Sequence, residues 1–379
     1  MPLSRRLTAE SPTGDAVRGD CLLEAGVRHA RWLSIPLWAA LLVAMLLLAL
    51  ALPARAASAA DGDAAGRSVS VSTSSAQRDI GEWIQRMQGA SCHRSYSGIF
   101  VVLASSGAMA SSRISHVCDG ARQIERVEAL SGTPRTIFRR NDEVRTFLPQ
   151  SKTVRLDTRD ASGLFPQWRE IRGAALSRFY VARQLGQERV AGYMADVVWL
   201  QPLDTLRFGY RLWSERETGL VVKLQTVGNE GRVLEQAAFS ELDLKSPVHS
   251  DQLERLMDTT TGYQVVASTV VKTTARAEGW ALRQPVAGFV PVSCYRRSVG
   301  VANAADGVLQ CIYSDGLATV SLFIQPFDPQ HHAVSTQVIG MGATQMLTQR
   351  LAPDMWLTAV GEVPLQTLHL FANQLERLR

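Results

Sequence analysis

The chain has 379 residues, 46% of them hydrophobic, which is enough for two packed units. The formal charge of +5 is mild, and part of the excess (Arg5, Arg6, Arg18, Arg28 and Arg31) precedes the first apolar run. No dense Lys/Arg block interleaved with aromatics occurs, which argues against nucleic acid as a partner. The remaining arginines are scattered and read as solvated strand faces, with lipid phosphate as the other partner for Arg207 and Arg211.

In chain order, residues 32–54 carry no charge and follow Arg28, His29 and Arg31. Small-residue sites Ala54-Arg55-Ala56 and Ala57-Ser58-Ala59 come next. Residues 1–56 are therefore expected to direct export. The run is also long enough to span a bilayer, so an inner-membrane anchor stands beside the favoured cleavage. The long stretch ahead of it leaves the start codon open. Residues 57–75 are rich in Ala, Gly, Ser and Asp and read as a tether.

Residues 76–245 form the first unit. Ile80, Trp83, Ile84 and Met87 make one apolar helical stripe, with Ser75 as cap and Gly89 as stop. Strands are expected over 97–104, 111–117, 122–130, 134–139, 143–148 and 153–157, separated by turn pairs such as Asp119-Gly120 and Ser131-Gly132. That spacing predicts a large antiparallel sheet, strongly curved or closed. A helical segment over 167–182 follows, with Trp168, Ile171, Leu176, Phe179 and Tyr180 inward and Gly186 as its end. Strand 194–200 then enters a three-strand meander over 206–242, in which Phe208, Tyr210 and Leu212 alternate with Gly209 and Arg211. Such a sheet keeps one face apolar, and something must cover it.

Residues 246–262 read as a linker with a helical turn over 251–258, and 263–379 as a second unit. Residues 264–272 are polar and threonine-rich, with little helical periodicity. Strands are expected over 288–297, 308–313, 317–324, 334–339, 341–343 and 356–360. The tight turn Ser314-Asp315-Gly316-Leu317 enters the third of these. Pro364 starts a terminal helix that keeps Leu365, Leu368, Phe371, Leu375 and Leu378 on one side. An open edge strand here would accept an extended peptide, or simply be guarded by Arg and Pro.

Cys92, Cys118, Cys294 and Cys311 permit three pairings. Cys294 and Cys311 flank the 299–306 loop almost symmetrically, which favours their bridge and leaves Cys92–Cys118 by elimination. There is no C-x-x-C, G-x-S-x-G, H-E-x-x-H or P-loop, so no catalytic, metal or cofactor site is expected and an enzyme is disfavoured. His331-His332 reads as solvated loop, and His116 as a structural hydrogen-bonding group.

Several stretches carry a resemblance. They are Tyr96-Ser97-Gly98-Ile99-Phe100-Val101, Arg113-Ile114-Ser115-His116, Gly132-Thr133-Pro134-Arg135 and Glu188-Arg189-Val190-Ala191-Gly192. Further along stand Pro202-Leu203-Asp204, Arg207-Phe208-Gly209-Tyr210-Arg211-Leu212-Trp213 and Thr218-Gly219-Leu220. In the second unit stand YSDGLATVSLFI over 313–324 and Gly361-Glu362-Val363-Pro364. Together, in this order over roughly 76–379, they resemble the MucB/RseB family, periplasmic negative regulators of envelope-stress sigma factors.

The resemblance implies an α+β fold. A large curved antiparallel half-barrel with two helices, similar to lipoprotein carriers, would be followed by a smaller α+β C-terminal domain. It implies binding to the periplasmic segment of a transmembrane anti-sigma factor, protection of that segment from proteolysis, and release by lipopolysaccharide or lipoprotein acyl chains. The expected lipid-facing residues are Phe100, Val102, Leu200, Phe208, Tyr210 and Leu212, although alternation does not tell which face lines the groove. The expected partner-facing residues are Ser314, Asp315, Leu317 and Phe323. A homodimer is left open. The alternative is a periplasmic lipid or lipoprotein carrier, and a third class is a structural envelope protein.

Overall fold

The computed structural model describes residues 78–118, 123–141, 143–158, 173–267, 270–297, 307–333 and 335–378. The export segment, the tether and Ser75 lie outside them.

Helix α1 (Ile80–His93) starts at Asp79 rather than Ser75. The Asp79 carboxyl accepts the Glu82 N–H at 2.8 Å, and the Glu82 carboxyl accepts the Asp79 N–H at 3.1 Å. This reciprocal box satisfies two donors that the first turn leaves open. Ile80, Trp83, Ile84 and Met87 are all buried. Gly89 does not end the helix. Ala90, three residues past Met87, extends the same buried stripe, and this offsets the roughly 1 kcal/mol that an interior glycine costs.

The first meander contains β1 (Tyr96–Ala104), β2 (Met109–Cys118), β3 (Gln123–Ala129), β4 (Thr136–Arg140), β5 (Glu143–Leu148) and β6 (Thr153–Thr158). The second contains β7 (Tyr180–Val190), β8 (Tyr193–Pro202), β9 (Gly209–Glu215), β10 (Val221–Val227) and β11 (Val233–Asp243). Strand β1 pairs with β11, so both meanders join one sheet. With β12 (Gln264–Ala267) the order is β12-β6-β5-β4-β3-β2-β1-β11-β10-β9-β8-β7. Strand β12 joins parallel to β6 and the other pairings are antiparallel, in keeping with the large curved sheet expected.

The helix expected over 167–182 is corrected. Residues 167–172 lie outside the described set, α2 spans only Gly173–Leu176, and β7 begins at Tyr180. Tyr180 pairs with Pro202 and Ala182 with Leu200. The alternation of Phe179–Ala182 therefore serves a strand, and Gly186 sits at a register shift within it rather than at a helix end.

The two faces of this sheet carry different cores. Ile114 and Val117 are three apart on β2 and so point to opposite sides. Ile114 joins Trp83, Ile84 and Met87 of α1. Val117 joins Ile124, Phe138, Phe147 and Val154 under Leu253 and Met257 of α3 (Ser250–Asp258).

The segment after α3 is extended rather than irregular. Strand β12 edges the first sheet, and β13 (Val270–Thr273) pairs with β15 (Val290–Arg297) of the second. Strand β14 (Trp280–Leu282) stands apart from that sheet. The rest are β16 (Val308–Ser314), β17 (Thr319–Pro326), β18 (Gln337–Met341), β19 (Thr344–Ala352) and β20 (Met355–Gly361), in the order β13-β15-β16-β17-β20-β19-β18. Of residues 341–343, expected as strand, Met341 ends β18 and 342–343 form the β18–β19 turn.

Helix α4 (Leu365–Gln374) packs Leu368 and Phe371 on Leu322, Leu347, Leu357 and Ala359. Pro364 is its cap rather than its first residue. The helix stops before Leu375, because β21 (Leu375–Arg377) pairs back with β14. Among the described residues no helix is long and apolar enough to cross a membrane.

Candidate functional site at the seam between the two sheets

Register places the expected lipid-facing residues in rows on one face. Val102, Ala237, Leu224, Leu212 and Val198 lie directly opposite one another across five strands. The next row holds Ala104, Glu235, Thr226, Tyr210, Leu200 and Ala182. Phe100 faces Phe239 one row beyond Val102 on the other side. Phe208 immediately precedes β9 and is buried. This is the face that α1 and α2 cover, and here it is filled by the chain's own Trp83, Ile84, Met87 and Leu176.

One end of the second sheet meets this face. Ser314 pairs with Thr319, Val320 with Gly361, and Gly361 with Gln345. The β16–β17 turn, the β18–β19 turn and the β20–α4 connection therefore project from the same end. Leu317 in the first of these turns packs into the core of the first sheet. In the second, the Ala343 N–H donates to the Glu235 carboxylate. Beyond the third, the Thr367 hydroxyl donates to the Leu206 carbonyl at 2.6 Å, and Gln366 donates to the Thr205 carbonyl.

Arg207 is the centre of the seam, and it is a correction. Read as a solvated or lipid-facing cation, it is fully buried. Nε donates to Asp204 at 3.0 Å, Nη1 to Asp315 Oδ2 at 2.9 Å, and Nη2 to the Ala287 carbonyl at 2.7 Å. Its guanidinium carbon stands 4.4 Å from the Phe179 ring centre and 5.2 Å from that of Phe289. The planar fork suits this mixture of directed hydrogen bonds and ring contact, which an ammonium would not satisfy. Arg211 meets Gln225 at 3.2 Å and lies near the Trp199 ring instead.

Asp315 completes the cluster. Oδ1 accepts the Leu317 and Ala318 N–H groups at 2.8 and 2.7 Å, and Oδ2 also accepts the Tyr180 hydroxyl at 3.0 Å. Burial pushes its carboxyl up from the usual range, while Arg207 and these donors pull it back. Burial likewise raises the Tyr180 and Tyr210 hydroxyls, with Asp315 adding to Tyr180 and Glu362 to Tyr210. Among the described residues the Tyr210 hydroxyl has no hydrogen-bond partner. Glu235 is raised by burial, and Glu362 is raised to about 7 by burial and by the charge of Glu235.

The residues expected to face a partner thus separate. Asp315 and Leu317 are spent inside the seam. The Ser314 hydroxyl closes its own turn on the Ala318 carbonyl at 2.9 Å. Phe323 lies on β17 between Leu322 and Ile324, which belong to the core under α4, so alternation points it away from that helix.

Cys294 and Cys311 are directly opposite on β15 and β16 and are joined by a disulfide. Cys92 belongs to α1, but its side chain lies outside the described residues. His116 is a further correction: among the described residues neither ring nitrogen has a hydrogen-bond partner. The ring instead stacks on Tyr96 at 4.9 Å, with Nδ1 3.6 Å from Glu125. His332 is not loose in solvent either, since it stacks on Trp356 at 4.8 Å.

Sequence reasoning placed Tyr180 inward but missed its bond to Asp315, and it missed Glu235, Glu362 and the role of Arg207. Only Arg207 had a local signal, in Asp204 three residues before it and apolar neighbours on both sides.

The description "MucB/RseB N-terminal domain" matches residues 79–257, and "MucB/RseB C-terminal domain" matches 274–376. The sigma factor AlgU regulatory protein MucB of Pseudomonas aeruginosa is 30% identical over 300 residues, covering 76% of this chain and 88% of that protein. The sigma-E factor regulatory protein RseB of Escherichia coli K12 is 22% identical over 306 residues, covering 80% and 93%. The structure of the P. aeruginosa MucA/MucB complex aligns with a TM-score of 0.62 and 26% identity, over 79% of this chain and 99% of that one. A crystal structure of MucB with MucA(peri) gives 0.61 and 26%, over 79% and 100%. Both halves of the chain are therefore matched, in order and together: the protein belongs to the MucB/RseB family.

Proposed function

We propose that this protein is a periplasmic negative regulator that binds the periplasmic segment of a transmembrane anti-sigma factor. The likeness over nearly the whole length of MucB, in structures of MucB with MucA, is the observation that carries the reading. Export by residues 1–56 places the chain in the same compartment as such a segment, and residues 76–245 and 263–379 act as its two domains. Binding shields the segment from the protease that would begin its degradation.

Release by lipid has a physical route. The face that holds Leu200, Tyr210 and Leu212 is apolar, and Leu317 of the second domain packs into it. An acyl chain entering there competes with α1 side chains or with Leu317, and so binds one domain arrangement better than another. Only that difference in affinity can shift the partner equilibrium. The same apolar face supports the second reading, a lipid or lipoprotein carrier.

The test follows protease cleavage of the anti-sigma periplasmic segment from the same cell, with and without the protein, and then with lipopolysaccharide added. Protection reversed by lipid supports the regulator. Lipid binding without protection moves the carrier reading ahead.

A further inference from the structure

The chain leaves β17 at Pro326 and enters β18 at Gln337, but β20 and β19 stand between these two strands in the sheet. Pro326 pairs with Met355, at the end of the sheet away from the seam. The connection therefore crosses that end of the β19–β20 hairpin, and three contacts fasten it there. The Phe327 N–H donates to the Asp354 carbonyl at 2.9 Å. The Arg350 guanidinium carbon stands 4.0 Å from the Phe327 ring centre. The His332 ring stacks on Trp356 of β20, with centres 4.8 Å apart and planes 5° from parallel. Strand β18 itself offers little hold, since it lies at the edge of the sheet with residues 337–340 exposed.

His332 fits this place only as a neutral ring. Its Nδ1 accepts the Asp328 N–H at 2.9 Å, so that nitrogen carries a lone pair. The proton of the neutral ring is then on Nε2, 2.7 Å from the Gln325 side-chain amide, which meets it with its oxygen. A second proton could go only to Nδ1, where it would oppose the backbone N–H. One hydrogen bond would become two facing donors.

The charged and titratable groups around the ring come from several elements. On the same connection, the Asp328 carboxylate meets His331 Nδ1 and accepts the Gln330 N–H. Burial pushes His332 below the ordinary histidine range, Asp328 pulls it back, and His331 adds to the push. From β19 comes Arg350, which donates to the Ala352 and Pro353 carbonyls. From the β19–β20 turn comes Asp354, paired with Arg377 of β21 at 2.9 Å. Strands β17 and β20 contribute the uncharged Gln325 and Trp356.

We propose that His332 is an acid-sensitive fastener, which pins the crossing connection to Trp356 while neutral and releases it, with the root of β18, when protonated. The released ring keeps the ordinary histidine value of about 6.5. A ring that is harder to protonate when fastened supports the fastened state fully above that value. The support is lost as pH falls below it. Release leaves β18 held by its pairing with β19 and, past its other end, by the Ala343 bond to Glu235. The fastener does not depend on what the protein binds.

The test is backbone hydrogen exchange of the full chain from about pH 8 to about pH 5, read at Asp328, whose N–H donates to the ring. Rates are corrected for the intrinsic pH dependence of exchange. The expected opening constant is flat above neutrality and climbs below it by at most about tenfold per pH unit. In His332→Asn it should stay low and flat, because the amide oxygen replaces Nδ1 as acceptor and takes up no proton. In His332→Ala it should be high at every pH. His331→Asn should keep the wild-type dependence. The Leu347 amide, on the β19 strand under α4, reports whether each variant is folded. A corrected Asp328 opening constant that does not rise on acidification of the wild type overturns the fastener. So does a folded His332→Asn variant with an undiminished rise, or a folded His331→Asn variant that has lost it.

Discussion

Arg207 and Asp315, 108 residues apart in sequence, close to 2.9 Å with no side-chain surface left to solvent on either. One belongs to the loop that enters β9, the other to the turn between β16 and β17, so this buried ion pair is one of the ties between the two sheets. Such a pair need not add net stability, since desolvation offsets much of the attraction. Removing one partner is a different matter, because it strands the other charge.

Asp315→Ala should therefore lower the unfolding free energy by about 3–5 kcal/mol. Arg207→Leu should cost a comparable amount, and the double variant clearly less than the sum of the two. Urea unfolding of the four proteins measures this coupling. Strict additivity would mean that the two groups do not meet in solution.

Gly288 should not tolerate a side chain. Its φ is +84°, and a Cβ there would stand 2.8 Å from both Arg207 Nη1 and Phe179 Cζ. Gly288→Ala should lower stability by about 1–3 kcal/mol through backbone strain and displacement of the guanidinium. Thermal unfolding beside Gly231→Ala separates the two causes, since Gly231 has φ +79° with open space around its Cβ position.

Removing the Tyr210 hydroxyl should not weaken the fold. It is buried without a partner among the described residues, so Tyr210→Phe should be neutral or more stable by about 1 kcal/mol. A loss of similar size in urea unfolding would reveal a hydrogen bond made in solution.

Reducing the Cys294–Cys311 bridge, which spans 17 residues, should cost about 3 kcal/mol. The Cys294→Ala/Cys311→Ala variant should show the same loss. Its unfolding should be followed at Trp356 and Trp280, which lie in that half of the chain.

Asp79→Ala should cost about 1 kcal/mol by opening the capping box of α1. Asp79→Asn should restore most of it. Denaturation monitored by far-ultraviolet circular dichroism distinguishes the two.

Much of the fold was legible because strands and helices advertise themselves locally. Phe208, Tyr210 and Leu212 announced period two, and Ile80, Trp83, Ile84 and Met87 announced a helical stripe. The errors fell where two periods overlap. Phe179, Tyr180 and Ala182 fit a helix by spacing and a strand by alternation, and pairing with β8 decided for the strand. Leu375 fits the stripe of α4, yet its backbone pairs with Leu282. The seam was not legible at all. Ser314-Asp315-Gly316-Leu317 looks like an exposed turn in isolation, and nothing local to Asp315 announces Arg207.

The sequence by itself determined which residues alternate, where the chain turns, and that two units lie in order along it, since these follow from the local sterics of the backbone and the spacing of apolar side chains. Only the tertiary structure decided which face of the first sheet is covered and that Leu317 packs against it. It also decided that Arg207, Asp315, Glu235 and Glu362 share one seam. Alternation defines two faces but assigns neither to the interior. That assignment comes from what packs against the sheet, and here it is a helix from one end of the chain and a turn more than two hundred residues away.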